Sequence, residues 1–332
     1  MSISTVGSQL SNLYILQMLR QQLNQTQERI STGKKGTMLS DLGGSGATNA
    51  LAYRNSQTML ETYITNLNTV KARVTVMDKA MGSMTDTVRD VLSTLRSQVQ
   101  DGAPYDEITR DQAQNALQDV VSKLNVKLGD RFLFSGSDIE NAPMSDQSLL
   151  NSNVSSAISA LMSGTFDKDD ATNALRGIAG ADLGYSAGSL AAETVSFRAD
   201  DGRDVDYTTM AHRAGFSDVL RGLAVISNLP TPTNEAETEK YWTLVNSAID
   251  MLDQGARQID NYQGALGSKA NTITTLLESH QDDALTLENF IGDVEDIDTA
   301  EAATRLETLK AQLQISYNVT ASLQDLSLAN FI

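Results

Sequence analysis

The residues best equipped for chemistry in this chain are few and widely scattered. His212 and His280 are the only imidazoles. Neither stands in an HExxH spacing or beside another ligand type that could share a zinc ion. Cysteine is absent, so thiolate metal sites and disulfides are excluded. No serine lies in a GxSxG nucleophile elbow. STGKKG at 31–36 offers the glycine and lysine of a phosphate loop. A Walker loop, however, needs a glycine at position 28, where Glu28 stands, and a hydroxyl residue where Lys35 follows Lys34. Asp167, Asp169 and Asp170 open like a calcium loop, but Thr172 and Ile178 occupy the places of its required Gly and Glu. These residues read as a connector and a solvated acidic turn. The expectation is a protein that is not an enzyme and that takes no cofactor or metal.

The patterning is far more informative. From Trp242, alternating steps of three and four reach Val245, Ile249, Leu252, Ala256, Ile259, Gln263, Leu266, Ala270, Ile273, Leu277, His280, Ala284, Leu287, Ile291 and Val294. All but Gln263 and His280 are apolar, and no proline interrupts them. A 3-4 alternation keeps an apolar stripe on one side only when helices wrap around each other. A helix of this span runs roughly 80 Å, and its single stripe demands another long helix. His280 on that stripe reads as a core or partner-facing imidazole.

A matching stripe runs through Leu60, Ile64, Leu67, Val70, Val74, Met77, Met81, Met84, Val88, Val91 and Leu95, in a helix expected from Ala47 to about Val99. Asp106 then caps a third helix carrying Ala113, Leu117, Val120, Leu124 and Leu128, ended by Gly129. Between these helices and the long one the period changes. Phe132 and Phe134 alternate in a short strand. Thr194–Arg198 and Val205–Thr208 flank an Asp201-Gly202 turn and predict a β-hairpin. Phe216–Leu229 predicts a short helix. The fold class is mainly α: a long antiparallel coiled-coil bundle built from both chain halves, with a small α+β insertion expected to face outward.

The two ends differ from the middle. Val6, Leu10, Leu13, Leu16, Leu19, Leu23, Thr26 and Ile30 form a thin stripe in a helix with little charge. Asp298 and Glu301 resemble a capping box, opening a final helix with Leu306, Leu309, Leu313, Tyr317, Leu323, Leu326 and Phe331. Both ends have low apolar density and no obvious host within the chain. Such helices fold by pairing with each other and with copies from neighbouring subunits. That is what a polymerising part needs. A net charge of −17 argues against nucleic acid or an anionic membrane as partner. The start MSISTVGSQL lacks the basic and apolar regions of a cleaved export signal. No run approaches the ~20 apolar residues that cross a bilayer.

The C-terminal run IGDVEDIDTAEAATRLETLKAQLQISYNVTASLQDLSLANFI (291–332) resembles the C-terminus of bacterial flagellins and of the hook–filament junction protein. ERISTGKK (28–35) is similar to the turn after the first flagellin helix, although GTMLSDLGG replaces the Asn and Ala-Ser-Asp-Asp residues usual there. GDRFLFSG (129–136) looks more like the junction protein. The resemblance implies residues 1–46 and 297–332 in an inner tube, 47–131 with 238–296 as outer rods, and 132–237 as a surface-exposed domain. It implies type III export without a cleaved signal, location in the extracellular flagellum, and no membrane insertion. The implied partners are identical subunits, other axial proteins, the cap and an export chaperone. The expected role is a filament subunit for motility, with the junction protein as alternative. A glycan- or receptor-binding role for 139–237 lacks a clustered aromatic platform, since Phe166, Tyr185, Phe197, Tyr207 and Phe216 are scattered.

Overall fold

The computed structural model describes residues 2–102 and 104–329, with the backbone alone for residues 2–6, 8, 9, 101 and 323–329. Nine α-helices and two two-stranded antiparallel sheets are found among these residues: α1 (Ser2–Thr32), α2 (Gly43–Asp101), α3 (Glu107–Leu124), β1 (Lys127–Leu128), β2 (Arg131–Phe132), α4 (Gln147–Met162), α5 (Lys168–Gly177), α6 (Ala187–Ala191), β3 (Ser196–Asp200), β4 (Arg203–Asp206), α7 (Ala214–Ser227), α8 (Glu235–Glu295) and α9 (Thr299–Ala329). The mainly α class is as the patterning predicts. The chain divides into two compact units, residues 1–62 with 280–332 and residues 63–279.

In the unit formed by 63–279 the core is the predicted seam. Leu67, Val70, Val74, Met77, Met81, Met84, Val88, Val91 and Leu95 of α2 are buried together with Val245, Leu252, Ile259, Leu266 and Ile273 of α8. α8 begins where Pro230 and Pro232 can no longer interfere, and the Asn234 side chain accepts from the Glu237 amide at 3.0 Å. Two ion pairs, Arg89–Asp260 at 2.6 Å and Arg96–Asp253 at 2.8 Å, flank the seam on its wet side, where such pairs add little stability. The three seam methionines are fully buried and serve as core filling, not as a binding surface.

Local starts follow the sequence closely. Asp106 accepts from the Thr109 amide at 2.9 Å and starts α3. Asp167 accepts from the Asp170 amide at 2.7 Å and starts α5, which accounts for the calcium-like run. Asp201-Gly202 turns the β3–β4 hairpin, with Gly202 at φ +72°.

Two boundaries and one burial pattern differ from expectation. α3 stops at Leu124, because Lys127–Leu128 pairs with Arg131–Phe132 around Gly129 at φ +63°. α2 starts at Gly43, four residues early, so the glycine run is partly helical. Phe132, Leu133 and Phe134 are all buried rather than alternating.

α7 departs further from the outward-facing picture. From Gly215 to Ile226 it buries eleven residues, so this helix lies inside the core. Three glycines set its approach to α8. A Cβ on Gly255 would lie 2.8 Å from the Gly215 carbonyl oxygen, and one on Gly222 would lie 2.7 Å from Leu252 Cγ. The FLFSG stretch enters the same core, with the Phe134 ring 5.8 Å from Phe216. Phe134→Ala is expected to destabilise this unit by about 3–5 kcal/mol, measured by chemical denaturation followed through Trp242 fluorescence.

Candidate assembly interface

In the unit formed by 1–62 and 280–332, α1 and α9 pack on each other. Their antiparallel sense is set by the bridge between Lys34 and Asp296 and by Arg20, whose Nε donates to the Tyr317 hydroxyl at 2.8 Å. On α1 the inward stripe is Asn12, Leu16, Leu19, Leu23, Thr26 and Ile30, all buried or half-buried. On α9 it is Ala302, Leu306, Leu309, Leu313, Ser316 and Thr320. Both stripes keep the four-three step of a coiled-coil seam. α9 is capped as anticipated on one side: Asp298 accepts from the Ala300 and Glu301 amides at 2.9 and 3.1 Å.

Of the predicted interface residues, Leu16, Leu19, Leu23, Ile30, Leu306, Leu309 and Leu313 are brought together in this intramolecular seam. The ends thus find in each other, within the single chain, the partner that the patterning expects. Leu10 and Leu13 fall off the seam and remain 62% and 54% exposed. The reason is the three-residue slip at Leu13–Leu16, after which Asn12, not Leu13, continues the inward stripe. Tyr317 stands at the rim, half exposed. The side chains of Val6, Leu323 and Leu326, and all of Phe331, lie outside the described residues.

Patterning missed the outward apolar side chains. Tyr14, Ile15 and Met18 on α1 and Ile315 and Val319 on α9 are exposed, Ile315 at 61%. Ile315 and Val319 sit one turn apart and away from the inward stripe. Each helix therefore buries one stripe and leaves a second apolar face uncovered. A single stripe followed at four-three spacing cannot reveal the second face. A search for apolar residues outside the seam would have found it.

The loop after α1 is pinned rather than free. Gly33, at φ +71°, ends α1 by donating to the Arg29 carbonyl at 2.8 Å. The Lys35 amide donates to the Glu295 carbonyl at 2.7 Å, and the Ile297 amide to the Gly33 carbonyl at 3.0 Å. Lys35 Nζ caps the end of α8 on the Asp293 and Val294 carbonyls at 2.7 and 2.9 Å. Lys34 Nζ lies 2.6 Å from Asp296. Arg54 grips the buried Glu295 carboxylate with both Nε and Nη2, at 2.7 and 2.8 Å. Those bonds hold the Glu295 carboxyl below its ordinary pKa despite burial, and the bond to Asp296 raises the Lys34 ammonium. The two lysines of STGKK are therefore occupied by α8 and the turn that follows it, which explains their presence without a phosphate.

The remaining reactive residues do not converge. His280 is buried on the α8 seam and His212 is half-buried in the other unit. Among the described residues no group of three metal-ligating side chains is placed to hold an ion, and no helix is long and apolar enough to cross a membrane.

Residues 3–138 match the bacterial flagellin N-terminal helical region, and residues 249–332 match the bacterial flagellin C-terminal helical region. The chain belongs to the bacterial flagellin family. Flagellin-family proteins are structural. A structure of a flagellar hook-associated protein from Vibrio parahaemolyticus is similar at a TM-score of 0.54 and 13% identity, over 77% of this chain and 100% of that one. Bacillus cereus FlgL aligns at a TM-score of 0.42 and 16% identity, over 73% of this flagellin-family chain and 99% of its own. No curated protein matches.

Proposed function

We propose that this chain is an axial structural subunit of the bacterial flagellum, acting at the hook–filament junction, and that neighbouring copies and other axial proteins cover the second apolar face of α1 and α9. The observation that carries assembly is that face: Leu10, Leu13, Tyr14 and Met18 with Ile315 and Val319, exposed on helices in the two family-matched regions. Exposed apolar side chains grouped on one element mark contact surfaces. The junction placement is supported by the likeness in fold to a hook-associated protein along that protein's whole length and by the FLFSG stretch. In this reading residues 1–46 and 297–332 line the inner tube, 47–131 and 238–296 stand outside them, and the elements of 132–237 other than α7 face the medium. Export is unfolded, through the flagellar type III apparatus, with a chaperone.

The filament subunit is the second reading. It is favoured by the breadth of the exposed apolar face of α1, which Ile15 widens beyond Leu10, Leu13, Tyr14 and Met18 and which suits contacts with many identical neighbours. Immunogold labelling of flagella separates the two. A narrow labelled zone where hook meets filament supports the junction, label along the filament supports the second reading, and unlabelled flagella sink both. Deleting residues 300–332 is expected to leave the 63–279 unit folded, with its Trp242 unfolding transition unchanged, while ending incorporation into flagella.

A further inference from the structure

Glu295 ties together three segments of one unit: it terminates α8, receives the loop after α1 through its backbone, and grips α2 through Arg54. We propose that Glu295 is the pin of an ionic latch that fastens the roots of both terminal helices to α2, and that the latch opens when this carboxylate loses its charge. The geometry is that of a designed fastening. The side chain of Glu295 is 6% exposed, both of its oxygens are held by one guanidinium, and Lys34 Nζ stands 3.6 Å away while bonded to Asp296. The charged groups facing it are Arg54 from α2, Lys34 from the loop and Asp296 from its own turn. Around them Thr32, Thr37, Met38, Leu39 and Leu42 line a small cleft and bring no further charge.

Neutral Glu295 leaves Arg54 facing a carboxylic acid instead of a carboxylate, and a charge-assisted forked pair is lost. The backbone bridge at Lys34–Asp296 then has only Lys35 and a surface ion pair to hold it. Because folding holds the Glu295 carboxyl below its ordinary value, its contribution is complete above the unfolded value and disappears as pH falls through the folded one. Acid therefore opens the latch. The inference rests on the assembly reading only for its consequence, that an open latch presents the α1/α9 face in varied orientations.

The test is hydrogen exchange on the dilute, unassembled full chain, with rates normalised to intrinsic exchange at each pH. At neutral pH, Glu295→Gln is expected to speed exchange at the ends of α1 and α8 and at the start of α9 (residues 24–35 and 290–310) by about tenfold or more. Arg54→Met, which keeps Glu295, is expected to do the same, and α7 is expected to stay protected in both. The wild type is expected to loosen at the same peptides as the pH falls below the ordinary glutamate range, and Glu295→Gln to show no such acid step. Unchanged exchange in both variants at neutral pH, or an acid step of the same size in Glu295→Gln, overturns the latch. Because no assembly is read, failure here leaves the proposed function standing, and failure of the labelling experiment leaves the latch standing.

Discussion

Gly255→Ala is expected to destabilise the 63–279 unit by about 2–3 kcal/mol or more, although alanine is the better helix former. Intrinsic propensity alone predicts a gain of about 1 kcal/mol at a mid-helix glycine. Here the added methyl would stand 2.8 Å from the Gly215 carbonyl oxygen and 3.0 Å from the Val219 nitrogen. Both obstacles are backbone atoms of α7, which cannot swing aside as a side chain can. α7 and α8 must separate, and the separation opens the packing around Phe216, Val219, Leu220 and Leu223, all fully buried. Overpacking is costly where neighbours cannot relax. The internal control is Gly264→Ala on the same helix, where an added Cβ meets nothing within 4 Å. That change is expected to stabilise by about 0.5–1 kcal/mol. Urea titrations read by Trp242, the single tryptophan, measure both. Shifts of the same sign would remove the close-approach account of α7.

Ile315→Asp combined with Val319→Asp is expected to abolish incorporation into flagella while leaving the unfolding of the soluble chain within about 0.5 kcal/mol of wild type. Both side chains are exposed on α9, so the folded chain barely registers them. If neighbouring copies cover them, each loses about 1.5–3 kcal/mol of burial per contact and leaves an aspartate in an apolar surface. A loss repeated at each subunit contact raises the concentration needed for assembly by about tenfold or more. Leu309→Asp provides the contrast. Leu309 is 5% exposed in the seam, so it is expected to release α1 from α9 in the single chain, seen as a drop in helical circular dichroism before any assembly. Sedimentation of purified protein and motility of complemented cells read the two effects apart. Normal assembly by the double variant would show that this face is not covered.

The long seam was legible because a coiled-coil stripe is a one-dimensional signal. Each of the sixteen positions from Trp242 to Val294 is buried or half-buried in the structure. Caps were equally legible at Asp106 and Asp298, because a side chain and amides two or three residues away settle them. α7 was recognised as a helix but not as core. Its partners on α3 and α8 are distant in sequence, and glycines that permit close helix approach read locally as weak helix formers. The latch was invisible for the same reason. Lys34 and Arg54 are ordinary surface cations until folding brings them to Glu295, some 240 to 260 residues away.

Spacing along the chain thus determined that this is a helical protein with two long stripes, that its ends are thinner than its middle, and that no catalytic set is spelled out. Those properties depend on the 3.6-residue turn and on which side chains avoid water, and both act locally. Tertiary structure decided which stripe of each terminal helix is satisfied within the chain and which apolar side chains stay exposed. It also decided that α7 is core and that Glu295 is a fastening point. Burial and charge pairing are properties of surfaces that meet only after the backbone has turned back on itself.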